Sequence, residues 1–140
     1  MAMPRFLDTN ILLRYFTASD PAKAEAARAL LERVERGEEK VVISLLVVFE
    51  TVFTLQRTYK VPRERIREMI GDLLSLPSVQ LAQKGLYRQA LDLYVAHNIS
   101  FADAYNAAFM RSRGLLEVYS WDTDFDRLTG IKRREPAPTA

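Results

Sequence analysis

Short apolar runs alternate along the chain with longer segments of helical periodicity. The apolar runs predict strands at residues 5–8, 40–44, 79–81 and 116–120, with an edge strand at 131–133. The periodic segments predict helices over residues 10–16, 22–36, 45–58, 62–76, 84–97 and 100–113. Because several strands are apolar throughout and alternate with helices, the pattern indicates an α/β fold around a parallel sheet covered on both faces.

Capping signals mark where several of these helices begin. Asp20, which a proline follows, has the pattern of an N-cap residue with proline at the first helical position. Ser44 is placed to cap the helix that follows the second strand. Ser100 and Asp103 form the S-x-x-D pattern of a capping box. These signals predict the helix starts, and they also offer Asp103 a purely structural role.

Composition limits the class of protein. The 140 residues are 49% hydrophobic, which predicts one domain over residues 1–134 with a loose tail at 135–140. The sequence contains no cysteine, so it excludes disulfides, thiolate catalysis and zinc sites built on cysteine. No signal-peptide pattern opens the chain, and its longest apolar run is too short to span a bilayer. We therefore expect a cytoplasmic protein that does not enter the membrane.

Positive charge is concentrated although the net charge is only +2. Arg57, Lys60 and Arg63 crowd one segment, and residues 132–134 are all basic. Such clusters are either solvated helix faces or surfaces that contact phosphate groups. The sequence leaves both interpretations open.

Four acidic residues adjoin apolar segments, where a solvated charge is not expected: Asp8, Glu50, Asp103 and Asp122. A carboxylate in such a place is costly unless a positive group pairs with it. No basic residue lies within a few positions of Glu50 or Asp103. If the fold brings the four together, a divalent metal is their natural partner, and phosphate chemistry is its usual purpose.

Capping is the competing explanation for three of the four acids. Asp8 is placed to cap the helix near residue 10, Asp103 to complete its capping box, and Asp122 to cap the turn that follows it. Glu50 lies inside a helix, where no cap explains it. Asp8 and Asp122 also follow predicted strands directly, and ligands bind beyond the carboxyl ends of such strands.

Other chemistries fit the sequence poorly. The only histidine, His97, lies at the end of a predicted helix, so a two-histidine ribonuclease mechanism is excluded. A calcium loop starting at Asp122 requires glycine and glutamate where Arg127 and Arg133 stand. A phosphatase with an Asp8 nucleophile lacks its second aspartate, because Asn10 stands there. No glycine-rich phosphate loop is present.

Four pieces of the chain together resemble one family. They are Phe6-Leu7-Asp8-Thr9-Asn10-Ile11-Leu12, the helix from Ser44 to Glu50, Ser100-Phe101-Ala102-Asp103-Ala104, and Trp121-Asp122-Thr123-Asp124-Phe125-Asp126. In order and spacing they resemble the PIN-domain ribonucleases, most closely the VapC-type toxins of prokaryotic toxin–antitoxin pairs. The resemblance implies a three-layer PIN-like sandwich with strand order 3-2-1-4-5, a bound Mg²⁺ or Mn²⁺, and cleavage of RNA.

The resemblance also implies roles for individual residues. Asp8, Glu50, Asp103 and Asp122 match the family's acidic positions, and we expect Asp8, Asp103 and Asp122 to hold the metal. The positions of an auxiliary set match as well: Thr9, Asn10, Ser44 and Asp124. Arg57, Lys60 and Arg63 are then expected to contact RNA.

Partners follow from the same resemblance. It implies a homodimer and a small antitoxin that blocks the site. A catalytically silent PIN-like module that binds RNA or protein is the alternative, and the intact acidic set favours the enzyme.

Overall fold

The computed structural model describes residues 3–138, which divide between Lys84 and Gly85 into two compact units. The first unit contains β1 (Arg5–Phe6), α1 (Thr9–Thr17), α2 (Pro21–Glu35), β2 (Val41–Val42), α3 (Leu45–Arg57), α4 (Arg63–Leu74) and β3 (Val79–Gln80). Helix α5 (Lys84–His97) begins at the boundary. The second unit continues with α6 (Phe101–Ser112), β4 (Glu117–Tyr119), a 3₁₀-helix (Thr123–Arg127) and β5 (Lys132–Arg134).

The first unit is built on a three-stranded parallel sheet. Its order is β1-β2-β3, and Arg5 pairs with Val41, which pairs with Val79. The amide of Leu7 donates to the carbonyl of Val42 at 2.9 Å, so the pairing continues one residue beyond β1. Asp8 therefore stands directly after the carboxyl end of this edge strand.

Helices α2 and α3 of the first unit begin at the predicted caps. The Asp20 side chain accepts from the amide of Lys23 at 3.2 Å, and the Ser44 hydroxyl accepts from the amide of Val47 at 3.4 Å. Helix α2 ends before Gly37, whose φ of 77° is a conformation that glycine adopts without strain. The capping residues therefore predicted correctly where α2 and α3 begin.

Each unit has its own apolar core. In the first unit α1 packs against α2 and α3, and α3 packs against α4. The core side chains there include Leu12, Leu31, Val34, Val48, Val52, Leu55, Ile66, Ile70 and Leu74. In the second unit they include Leu91, Tyr94, Ile99, Phe101, Ala104, Ala107, Ala108 and Phe125. The ring of Tyr94 meets the edge of Phe101 at 6.0 Å, which links α5 to the start of α6.

The second unit holds the two-stranded parallel sheet β4-β5. Glu117, Val118 and Tyr119 pair in register with the basic strand residues 132–134. The amide of Ser120 still donates to the carbonyl of Arg134 at 3.1 Å, so the ladder runs one residue beyond β4. Asp122 follows in the turn into the 3₁₀-helix.

These findings confirm the α/β class and the parallel strands, with six α-helices in residues 3–138. The orders 3-2-1 and 4-5 appear within separate sheets. The full order 3-2-1-4-5 needs β1 beside β4 and stays a prediction, as does the single domain over residues 1–134. Of the predicted tail, residues 139 and 140 lie outside the described residues.

The predicted strand segments appear as shorter strands, each of two or three residues. In the described part of the chain, no helix combines the length and the apolar character needed to cross a membrane.

Candidate metal centre

Three carboxylates of the second unit converge at one point. Asp103 lies in the first turn of α6, and Asp122 and Asp124 lie at the start of the 3₁₀-helix after β4. One oxygen from each lies within 4.8 Å of the others. We call these three residues the acidic trio. Its donor set, three carboxylate oxygens, is the kind that Mg²⁺ and Mn²⁺ prefer.

The three carboxylates of the acidic trio repel one another electrostatically. Burial raises the pKa of Asp103 from 3.8 to about 6, and the hydrogen-bonded carboxylate of Asp122 and the charge of Asp124 add to the rise. The pKa of Asp122 is lowered, first by the amide of Asp124 and then by its hydrogen bond with Asp103. Asp103 and Asp122 together therefore hold a proton more readily than an isolated aspartate does. A bound cation would replace that proton.

Two arginines partly balance the trio. Arg127 lies 3.6 Å from Asp124 through its Nη1 and donates from the same atom to the carbonyl of Asn98 at 2.8 Å. Arg133 donates to the carbonyl of Ser120 at 3.1 Å and pairs with Asp126. The charges of Arg127 and Arg133 both lower the pKa of Asp122, but Asp103 keeps its raised value. Sequence reasoning missed both contributions, although the spacing of Arg127 from Asp124 places the two on one turn.

Capping explains part of the geometry in the second unit. The hydroxyl of Ser100 accepts from the amide of Asp103 at 3.1 Å, which is one half of the predicted capping box. The carboxylate of Asp103 interacts with both Ser100 and Asp122. Asp122 does cap the 3₁₀-helix, because its Oδ1 accepts from the amide of Asp124 at 2.9 Å. Helix capping therefore brings Asp122 and Asp124 together, while the Asp103 carboxylate bonds both its own capping residue, Ser100, and Asp122.

Asp8 behaves differently from the cap that the sequence allowed. It occupies the N-cap position of α1, but its side chain makes no capping hydrogen bond. The next residue, Thr9, is buried, and its hydroxyl has no hydrogen-bond partner, while Asn10 is exposed. An exposed carboxylate beside an unpaired buried hydroxyl leaves polar groups available at the carboxyl end of β1.

Glu50 corrects an expectation. The apolar residues around it predicted a largely buried setting, but Glu50 is exposed, as are Asp8 and Asp122. Leu46 and Phe53, one turn before and one turn after Glu50, are 67% and 50% exposed. Helix α3 thus presents an apolar outer face, and the carboxylate of Glu50 escapes the desolvation penalty that the sequence pattern suggested.

The basic segment of the first unit lies at the far end of α3. Arg57 ends the helix and its guanidinium lies 5.8 Å from the ring centroid of Phe53. Lys60 is exposed in the loop with a φ of 56°, and Arg63 begins α4. The three residues are therefore close in the chain and on the surface, as a phosphate-contacting segment requires, while their role stays a prediction.

The structure thus distributes the predicted site residues over both units. Asp103 and Asp122 meet, and Asp124 joins them as a third carboxylate although the resemblance gave it only an auxiliary role. Asp8, Thr9, Asn10, Ser44 and Glu50 belong to the first unit. Ser44 serves as the N-cap of α3. The metal-binding role of Asp8 and the catalytic role of Glu50 stay predictions.

Comparison with known proteins gives a family match and a similar ribonuclease. A sequence model of the PIN domain family matches residues 5–131, across both units. The VapC ribonuclease of Aquifex aeolicus (strain VF5) is 29% identical over 132 residues, which are 94% of this chain and 96% of that protein.

Two similar solved structures share a lower sequence identity with this chain. The sarcin–ricin loop-cleaving toxin VapC20 of Mycobacterium tuberculosis is 24% identical, over 91% of this chain and 97% of its own, with a TM-score of 0.37. A chain of a toxin–antitoxin complex from Klebsiella pneumoniae is 18% identical, over 92% and 95% of the two chains, with a TM-score of 0.33.

Proposed function

Because this chain belongs to the PIN-domain family, we propose that it is a metal-dependent endoribonuclease and the toxin of a toxin–antitoxin pair. The similarity to a VapC ribonuclease over nearly the whole of both chains supports the activity. The acidic trio supports the metal. Hydrolysis of an RNA phosphodiester is the reaction that fits both.

The acidic trio is the observation that carries the proposal. Three carboxylates lie within 4.8 Å of one another, and burial together with the neighbouring Asp122 and Asp124 raises the pKa of Asp103 to about 6. A hard divalent cation relieves the repulsion with the ligand type it prefers. When bound, it supplies positive charge that offsets charge on the phosphate and makes a nearby water more acidic.

The chain's own residues divide the remaining work. Asp103 and Asp122, with Asp8 from the first unit, are the proposed metal ligands, and Asp124 assists. Asp8 is suited to this role because no helix cap engages its carboxylate. Glu50 is proposed to orient the attacking water, which an exposed carboxylate does without a desolvation cost. Thr9, Asn10 and Ser44 are proposed to shape the edge around Asp8.

Substrate and partner proposals rest on the family and on the surface. Arg57, Lys60 and Arg63 are proposed to contact RNA phosphates away from the reacting bond. A small antitoxin and a second copy of the chain are the proposed protein partners. The cytoplasmic location stays a prediction.

A cleavage assay on a mixed RNA pool tests the enzyme. We expect cleavage with Mg²⁺ or Mn²⁺ and none with EDTA. The variant Asp122→Asn, which keeps the size and polarity of the side chain, should lose activity because it removes a charged ligand. Cleavage that persists in EDTA would contradict the mechanism.

The silent binding module remains the second candidate. It predicts RNA binding without cleavage under every metal condition, and an Asp122→Asn protein that binds RNA as the parent does. The acidic trio disfavours it, because a module without chemistry gains nothing from like charges held so close.

A further inference from the structure

An exposed tryptophan directly precedes one member of the acidic trio in the chain. Trp121, the only tryptophan in the chain, precedes Asp122 and is 71% exposed. Tyr119, two residues earlier, is 75% exposed. An exposed aromatic ring offers a bound molecule a large apolar area and a π-face on which another ring can stack.

Hydrogen bonds order the backbone on both sides of Trp121. On one side Ser120 donates its amide to the carbonyl of Arg134 and accepts from Arg133 on its own carbonyl, both at 3.1 Å. On the other, the amide of Asp122 donates to the Ser120 hydroxyl at 2.9 Å. Trp121 is therefore attached to an ordered stretch of backbone, one residue before a proposed metal ligand. An ordered backbone lowers the cost of positioning a ligand beside it.

We propose that Trp121 is a stacking platform for an unpaired base of the RNA next to the bond that is cut. This inference rests on the proposed ribonuclease function and deepens it, because it names a residue of this chain that would hold a base next to the reacting bond. A base presents an aromatic face to Trp121 only when it is not stacked within a duplex. Trp121 then selects substrates through binding, while the carboxylates perform the chemistry.

Charge near Trp121 offers little attraction to a phosphate group. The strand beside β4 is basic, but Arg134 pairs with Glu117 at 2.7 Å and Arg133 with Asp126 at 3.1 Å. Their net pull on a phosphate is correspondingly reduced. Base stacking, which works for every base and needs no net charge, is then the attraction that this edge has to offer.

A protein partner is the competing occupant. Leu115 and Leu116, at the other end of β4, are 51% and 61% exposed and would join Trp121 in an apolar contact. The two occupants differ in one respect: a protein would use Leu115 and Trp121 together, whereas a base next to the trio would use Trp121 and leave Leu115 alone. This difference makes Leu115→Ala a matched control.

Fluorescence of the single tryptophan gives the direct test. The parent protein, in EDTA to prevent cleavage, is titrated with a labelled single-stranded RNA decamer until the anisotropy of the label saturates. An abasic decamer of equal charge is titrated in the same way. We expect quenching of the tryptophan by the RNA and little by the abasic chain. Equal responses to both, or none at saturation, would overturn the proposal.

Affinities of variants provide the second measurement. Trp121→Ala should weaken binding of the decamer by about 10- to 100-fold, the usual effect of losing one stacked base, while Trp121→Phe should stay within about threefold. Leu115→Ala should bind as the parent does. Unchanged affinity in Trp121→Ala overturns the proposal, and so do equal losses in Trp121→Ala and Leu115→Ala, because the loss would then not be specific to the tryptophan ring. Melting curves of all three variants check that they are folded.

The outcomes separate this inference from the function on which it rests. If the parent cleaves RNA with metal while Trp121→Ala keeps its affinity, the stacking proposal alone fails. If the RNA quenches Trp121 and no metal supports cleavage, the enzyme proposal fails and the chain is a binding module.

Discussion

The two units carry their acidic residues in different ways. In the second unit Asp103, Asp122 and Asp124 have oxygens within 4.8 Å of one another, and the pKa of Asp103 rises to about 6. In the first unit Asp8 and Glu50 are exposed, and Asp8 stands at a helix start without capping it. The second unit thus holds a preassembled, repulsive cluster, whereas the first offers carboxylates with little part in folding. Substitutions of Asp8 and Glu50 should therefore affect chemistry alone, and substitutions in the acidic trio should affect both chemistry and stability.

The largest effect is expected at Asp8. Asp8→Asn removes a charge that the proposed mechanism needs, so cleavage should fall roughly a thousandfold. Stability should hardly change, because the Asp8 side chain makes no capping hydrogen bond. RNA cleavage rates and denaturant melts of the same preparation measure both quantities.

Asp20 supplies the matched control for Asp8. It also stands at a helix start, but its carboxylate does cap, accepting from the amide of Lys23 at 3.2 Å. Asp20→Ala should cost about 1 kcal/mol of stability and leave cleavage intact, the reverse of the Asp8 result. If Asp8→Asn instead keeps full activity, Asp8 is not a metal ligand and has no part in the chemistry.

The next effect concerns Asp103, in the second unit. Asp103→Asn should lower cleavage by roughly a hundredfold or more, since it removes a proposed ligand. Helix α6 should still form, because the Ser100 hydroxyl accepts from the backbone amide of residue 103, and the substitution keeps that amide. Cleavage rates and the helical circular dichroism signal test the two parts.

Ser100→Ala separates capping from catalysis at this helix. It removes the cap and should destabilise the protein by about 1 kcal/mol while cleavage survives. An Asp103→Asn protein that is destabilised but active would return Asp103 to a structural role.

The sequence predicted the starts of helices more accurately than it predicted which side chains are buried. The caps at Asp20, Ser44 and Ser100 were confirmed, because a cap depends on only three or four neighbouring residues. The prediction of a largely buried environment for Glu50 was wrong, because α3 is apolar on most sides and its sequence does not reveal which side packs. Asp124 was underrated for a similar reason: its place in the trio depends on how α6 packs beside the turn after β4.

A smaller effect is expected in the basic segment of the first unit. Charge reversal of Arg57, Lys60 or Arg63 should weaken RNA binding several-fold and reduce its salt dependence by roughly 0.7 log units per log unit of salt for each lost contact. Arg65→Glu is the control, because Arg65 pairs with Glu68 at 3.2 Å. Binding titrations at several salt concentrations measure the slopes, and equal slopes in all variants would make the segment a solvated face.

The smallest effect is a change in melting temperature with pH, and it belongs to the second unit alone. The folded protein binds the Asp103 proton more tightly than the unfolded chain does, because the pKa is about 6 instead of 3.8. That stabilisation is complete below pH 3.8 and is lost as the pH rises through 6, so the melting temperature in EDTA should fall across this window.

Asp103→Asn should remove the fall and melt about 1–2 °C above the parent at pH 7.5, a modest gain since the carboxyl group is only partly buried. Ser100→Ala, which keeps the carboxyl group, should melt lower but retain the fall. Mg²⁺ should reverse the trend in the parent, because a cation competes with the proton and binds more strongly as the pH rises. A parent whose melting temperature in EDTA rises from pH 4 to pH 6, and does not respond to Mg²⁺, would show that the three carboxylates do not form a repulsive cluster.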